Sequence, residues 1–146
     1  MWRPHSCGAA VAGMVVALLL QAIPAAAQSP VRTPPSAAAA AAAGDATRGE
    51  QLYQSRCGAC HSLDANRVGP RHRNVFGRRV AAVPDFHYSA ALRKRTFTWD
   101  AATLDRWLEN PGALVPGTTM GFRVSSAQDR ADIIAYLRDH SAPSSP

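Results

Sequence analysis

The sequence predicts an all-α domain. Three segments carry apolar residues at helical spacing, no run alternates as a strand would, and the stretches between the helices are too long and irregular for ordinary connections. The 146 residues are enough for one modest domain, and the first third does not read as part of it.

Residues 1–27 read as a secretory signal peptide. Arg3 precedes an apolar run from Gly8 to Leu20, and Pro24 with Ala25-Ala26-Ala27 closes it in an A-x-A cleavage pattern. The run from Cys7 to Ala27 is just long enough to span a bilayer, so membrane attachment through an uncleaved segment is the other outcome, which Gln21 and Pro24 disfavour. Three cysteines are awkward for an exported chain until Cys7 is assigned to the removed segment. Cys57 and Cys60 remain, too close together to close a stabilising disulfide loop. Residues 28–43 consist mainly of Pro, Ser and a seven-alanine run, with Arg32 the only charge; they lack the apolar bulk to offset ordering entropy and read as a flexible linker. Residues 44–140 are the expected domain and 141–146 a disordered tail.

Asp45 is placed to cap a first helix from Ala46 to Cys57, with Leu52 and Tyr53 on its apolar side. That helix delivers Cys57-Gly-Ala-Cys60-His61, the C-x-x-C-H signature of a covalently attached c-type haem, in which two thiols add across the vinyl groups and the histidine faces the iron. A second helix, Asp100 to Asn110, carries Leu104, Trp107 and Leu108 and is stopped by Pro111-Gly112. The last opens on Ser126-Ala-Gln-Asp129, an Asp variant of the capping box, and presents Ile133, Ile134 and Leu137 up to Asp139. Residues 62–98 and 116–125 carry little regular signal. One haem, with its large apolar face, would organise such loops.

Iron in this motif needs a sixth ligand or an open position. Beyond the leader the only methionine is Met120, which follows the Pro116-Gly117 turn signal 59 residues past His61. A lone methionine is commonly core filler, but this placement favours ligation. His72, His87 and His140 compete in principle; each lies in a polar context and is expected at the surface. Zinc or a redox dithiol is disfavoured, because no second C-x-x-C, no H-x-x-x-H and no strand-helix-strand frame accompanies Cys57 and Cys60.

Arg3 and Arg32 aside, 14 of the 16 basic residues and all 10 acidic ones lie in the domain, a net charge of +4. The excess sits at Arg67, Arg71, Arg73, Arg78, Arg79, Arg93, Lys94 and Arg95. Such a basic face suits an acidic protein partner, with ordinary solubility as the plainer role. Nucleic acid is excluded, since no groove-reading motif or aromatic platform accompanies the arginines.

An ordered series of motifs then resembles the class I cytochromes c, the mitochondrial type and its small bacterial relatives: Gly49 and Tyr53, C-x-x-C-H, Val-Gly-Pro70, Phe-Gly-Arg78, Phe86-His-Tyr88, Thr-Trp99, Leu-Glu-Asn-Pro111, Pro-Gly-Thr-Thr-Met120-Gly-Phe and Ile-Ala-Tyr136-Leu. The resemblance implies the cytochrome c fold, three main helices plus a short helix and long loops wrapped around one haem c held through Cys57 and Cys60, with His61 and Met120 on the iron. It implies that the Pro70 carbonyl binds the second nitrogen of His61, that Arg78, Tyr88 and Trp99 hold a propionate with Ser89 and Thr118 as weaker helpers, and that Gly49 lets the first and last helices cross near Ile133 and Tyr136. Thr119 stands where the family commonly has lysine, Trp107 where it has tyrosine and Leu92 where it has a polar residue. The expected function is a soluble periplasmic one-electron carrier and not an enzyme, working between redox proteins such as a cytochrome bc1-type reductase and a terminal oxidase of a respiratory chain. The alternative is a peroxidase-like haem enzyme with a displaceable methionine.

Overall fold

The computed structural model describes Met1 and residues 44–141. The expected signal peptide beyond Met1, the linker and the tail beyond Ser141 lie outside the described residues. Five helices follow in order: α1 (Ala46–Arg56), α2 (Ala90–Arg93), α3 (Ala101–Glu109), α4 (Pro111–Leu114) and α5 (Ala127–Asp139). Among the described residues no strand forms, only an isolated antiparallel bridge between Arg79 and Thr98, and no helix is long and apolar enough to cross a membrane.

The helix ends follow from capping chemistry. The Asp45 carboxylate accepts from the N–H groups of Thr47 and Arg48, and α1 ends one residue earlier than expected, with Cys57 as its cap donating to Tyr53 O. Asp100 and Thr103 satisfy each other's backbone N–H in a reciprocal capping box at the start of α3. Pro111 does end α3, but it also opens α4, where its missing N–H costs nothing and the Asn110 side chain accepts from Ala113 N. Only half of the expected box at α5 forms: Ser126 accepts from Asp129 N, while the Asp129 carboxylate is held by Arg48 and Arg56 of α1.

The central packing is α1 across α5. It depends on Gly49, where a Cβ would lie 2.0 Å from Asp132 O and 3.0 Å from Tyr136 Cβ, so any side chain forces the helices apart. Leu104, Trp107 and Leu108 of α3 and Ile133, Ile134 and Leu137 of α5 bury the apolar stripes visible in the sequence, each large aliphatic contributing about 1.5–3 kcal/mol. Ser141, expected to begin a disordered tail, is still held: its hydroxyl accepts from Phe76 N at 3.1 Å and donates to Leu137 O at 2.8 Å.

Two carboxylates of α5 turn toward α1, not to solvent. Asp132 is 1 % exposed; it accepts from Asp45 N and from the Gln128 amide, both at 2.8 Å, and pairs with Arg48. Burial opposes its charge, but the Asp45 N–H, Gln128 and Arg48 outweigh burial and hold the carboxyl below the usual carboxylate range. Asp132→Ala is expected to lower stability at neutral pH by about 2–3 kcal/mol. Because the folded value is depressed, this contribution is present above the unfolded value of about 3.9 and is lost as pH falls through the folded one. Denaturant melts of the two proteins should therefore converge in acid.

Candidate haem site

The haem motif is a continuation of α1 by one tight turn. The N–H groups of Cys60 and His61 both donate to Cys57 O, at 3.1 and 2.9 Å, which carries the two thiols and the imidazole away from the helix together. Both cysteines are free, Cys57 half-buried and Cys60 exposed. Burial, partly countered by Arg56, pushes the Cys57 thiol up to about 11, so it stays protonated at neutral pH.

His61 is oriented by a neighbouring turn. Gly69 N donates to Cys60 O at 2.8 Å and Arg67 N to Gly69 O at 2.9 Å, which places the Pro70 carbonyl 2.9 Å from His61 Nδ1. With a carbonyl as partner, Nδ1 carries the proton and Nε2 keeps its lone pair for a metal. Burial lowers the imidazole's affinity for a second proton despite the Pro70 bond, which favours the neutral ligand form. The turn approaches so closely that a Cβ on Gly69 would lie 2.0 Å from His61 Cε1.

His72, expected at the surface, is instead half-buried and lines the site. Its ring stacks on His61 with centroids 4.0 Å apart, and burial, reinforced by His61 and Arg78, drives its pKa well below the ordinary value. The segment 72–73 is drawn in by backbone bonds to Ser62 and Leu63, which a sequence flanked by arginines does not reveal. His87 is exposed as expected.

The far wall forms where two loops pair. Trp99 N donates to Arg78 O and Gly77 N to Trp99 O, so Arg78 and Trp99 reach the site side by side. Arg78 spends its two terminal nitrogens on the carbonyls of Arg73 and Arg71, while its buried Nε has no partner and burial lowers its pKa. Tyr88 accepts from Val83 N at 3.3 Å, and Ser89 caps α2 by accepting from Leu92 N. The half-buried Thr118 turns its hydroxyl to accept from Met120 N at 3.4 Å within the turn, while the more exposed Thr119 borders the cavity.

Met120 arrives on a strap held mainly at its ends. Upstream, Thr118 N donates to Val115 O; downstream, Val124 N donates to Leu108 O. The buried Arg130 guanidinium clamps the downstream end, donating to Val124 O at 3.1 Å and Ser125 O at 3.0 Å while paired with Asp105 at 2.7 Å. Arg130→Met is expected to cost about 2 kcal/mol. In a denaturant series on the ferric holoprotein, Met-to-iron charge-transfer absorption should then disappear before helical circular dichroism does.

Cys57, Cys60, His61, Pro70, Arg78, Tyr88, Ser89, Trp99 and Met120 all border one cavity of about 520 Å³, whose remaining wall is largely apolar, with Leu92, Trp107 and Ile133 among it. That volume suits a single cofactor. The residues fit a haem on their own chemistry: two thiols, an imidazole with a free Nε2, a thioether, an apolar wall, and a buried guanidinium nitrogen lacking an acceptor. Among the described residues no group of three or more His, Cys, Asp or Glu gathers to hold a bare metal ion. The expected basic face is thinner than the sequence suggested, because Arg71 pairs with Asp85, Arg73 with Asp64, and Arg78 faces the cavity.

The family model described as Cytochrome c matches residues 46–141. A cytochrome c2 of Rhodomicrobium vannielii is 47 % identical over 99 residues, covering 65 % of this chain and 78 % of the relative. A cytochrome c of Euglena viridis is 43 % identical over 98 residues, covering 65 % and 96 %. The solved structure of cytochrome cH from Methylobacterium extorquens superimposes with a TM-score of 0.63 at 40 % identity, over 66 % of this chain and 99 % of that one.

Proposed function

The chain belongs to the cytochrome c family, electron-transfer proteins that bind one covalent haem c, and Cys57 and Cys60 lie in the attachment motif; from that premise we propose that it is an exported, periplasmic carrier in which His61 and Met120 hold the iron. The observation that carries this reading is the convergence on one cavity of Cys57, Cys60, His61 and Met120, the last from a segment 59 residues downstream of His61. Bound there, the haem supplies a one-electron couple at its iron. Two protein ligands leave no coordination position for a substrate, and a thioether in apolar surroundings disfavours the extra charge of the ferric state. Pro70 fixes the tautomer of His61. Arg78 Nε, Tyr88 and Trp99 are the groups to receive a propionate, whose charge would otherwise be costly to bury.

Electrons would pass at the edge marked by exposed Cys60, Val68 and Phe122, the last two 79 % and 47 % exposed on the cavity rim. Arg67, whose guanidinium donates to Gly58 O at 2.9 Å, sets positive charge beside that edge. The partners are acidic redox proteins, such as a bc1-type reductase and a terminal oxidase, met in small transient encounters. Export follows from the leader-like residues 1–27 and is consistent with a bacterial cytochrome c2 among the relatives. Mass analysis of protein purified from an exporting host tests this: one haem adduct on a chain beginning at Gln28 is expected. An unmodified dithiol would overturn the haem assignment, and a retained Met1 would make the carrier a tethered one.

A further inference from the structure

Arg71 bonds through each of its polar parts to a different residue. Its N–H donates to Asn66 Oδ1 at 2.9 Å, its guanidinium donates to both carboxylate oxygens of Asp85 at 2.7 and 2.8 Å, and its carbonyl accepts from Arg78 Nη2 at 2.9 Å. Asn66 closes a ring of bonds, because its amide nitrogen donates to Asp85 O at 3.1 Å while its oxygen holds Arg71 N. One half-buried amide therefore joins two loops 19 residues apart in sequence, with an ion pair beside it.

Both ends of this arrangement adjoin the haem site without lining it. On one side Pro70, next to Arg71, gives its carbonyl to His61 Nδ1 at 2.9 Å. On the other Phe86, next to Asp85, meets Tyr88 edge-on with centroids 4.9 Å apart, and both rings border the cavity. Residues 81–87 form no helix, and Ala81 holds a left-handed φ of 55°, a conformation unfavourable for a residue with a Cβ. The bonds within the segment are long: Val83 N to Tyr88 Oη at 3.3 Å and Phe86 N to Val83 O at 3.4 Å. Such a segment opens readily unless it is tied across to a neighbour. We infer that Asn66, with Arg71 and Asp85, staples the two loops and so holds the propionate wall closed against water, making Asn66 and Asp85 positioning residues for the haem. The exposed ion pair alone is weak and screened by salt. The Asn66 amide is neutral and carries the staple when the pair does not. The inference rests on a haem occupying the cavity.

Amide hydrogen exchange and the reduction potential of the holoprotein test it. Asn66→Ala is expected to speed exchange at Val83 N–H about tenfold and to leave the amides of α5 unchanged. It should also lower the potential, since water reaching the propionate side favours the extra charge of the ferric state. Asp85→Asn keeps the backbone carbonyl for Asn66 but loses the charge; it should have a smaller effect at low salt, and at high salt the wild type should come to match it. Asp64→Asn breaks the other exposed pair, that with Arg73, and should leave both readouts at their wild-type values. Wild-type exchange at Val83 in Asn66→Ala, or an equal effect of Asp64→Asn, would overturn the staple and leave haem attachment untouched. A wild type purified without haem would overturn the reading on which the staple rests.

Discussion

Met120→Ala is expected to abolish the Met-to-iron charge-transfer absorption of the ferric protein completely at neutral pH and to lower its reduction potential. Among the described residues Met120 is the one thioether on the cavity wall, and no competing histidine faces His61 from across it: His87 is exposed, His140 donates Nδ1 to Tyr136 O, and His72 borders the cavity on the His61 side, stacked on that ring. Alanine leaves the sixth position to water or an added anion, so the variant should bind cyanide quickly where the wild type binds it slowly. The strap should remain attached, since Val124 and Arg130 hold it independently of Met120. A wild type that bound cyanide rapidly and turned over peroxide would remove the carrier reading and restore an open haem enzyme.

Gly69→Ala is expected to be the most damaging single-methyl change near the motif. Its Cβ would sit 2.0 Å from His61 Cε1 and 2.5 Å from both ring nitrogens, and the ring cannot retreat without leaving the Pro70 carbonyl or pressing on His72. Overpacking of this kind costs about 1–3 kcal/mol. The expected outcome is a low yield of holoprotein with a melting midpoint well below wild type and a disturbed low-spin spectrum. Gly121→Ala supplies the contrast, because a Cβ there meets nothing within 4 Å; it should change stability by less than about 0.5 kcal/mol. Equal effects of the two alanines would show that the close approach at Gly69 is not what orients His61.

Much of the scaffold was legible because helices announce themselves locally. Asp45, Asp100 and Ser126 mark starts, apolar spacing marks buried faces, and each of these signals depends only on neighbours within a few residues. The C-x-x-C-H motif is local in the same way, since one turn of chain must deliver two thiols and an imidazole to one ring. Met120 was reachable by elimination once the leader was set aside, and the ordered motifs pointed to Pro70, Arg78, Tyr88 and Trp99. Thr118 was reached only through the resemblance, because nothing local in Thr118-Thr119 says which hydroxyl turns inward; Thr118 is the half-buried one and Thr119 the exposed one.

What the sequence by itself determined is therefore the helical class, the attachment motif and the set of candidate iron ligands, all consequences of short-range spacing and residue chemistry. Only the tertiary structure decided which polar groups are sealed. Asp132 joins α5 to α1 and Arg130 clamps the methionine strap, because partners 84 and 25 residues away reach them in space. His72 and Gly69 likewise acquire their roles from the approach of His61. Burial and close contact are properties of the packed chain, and no local pattern encodes them.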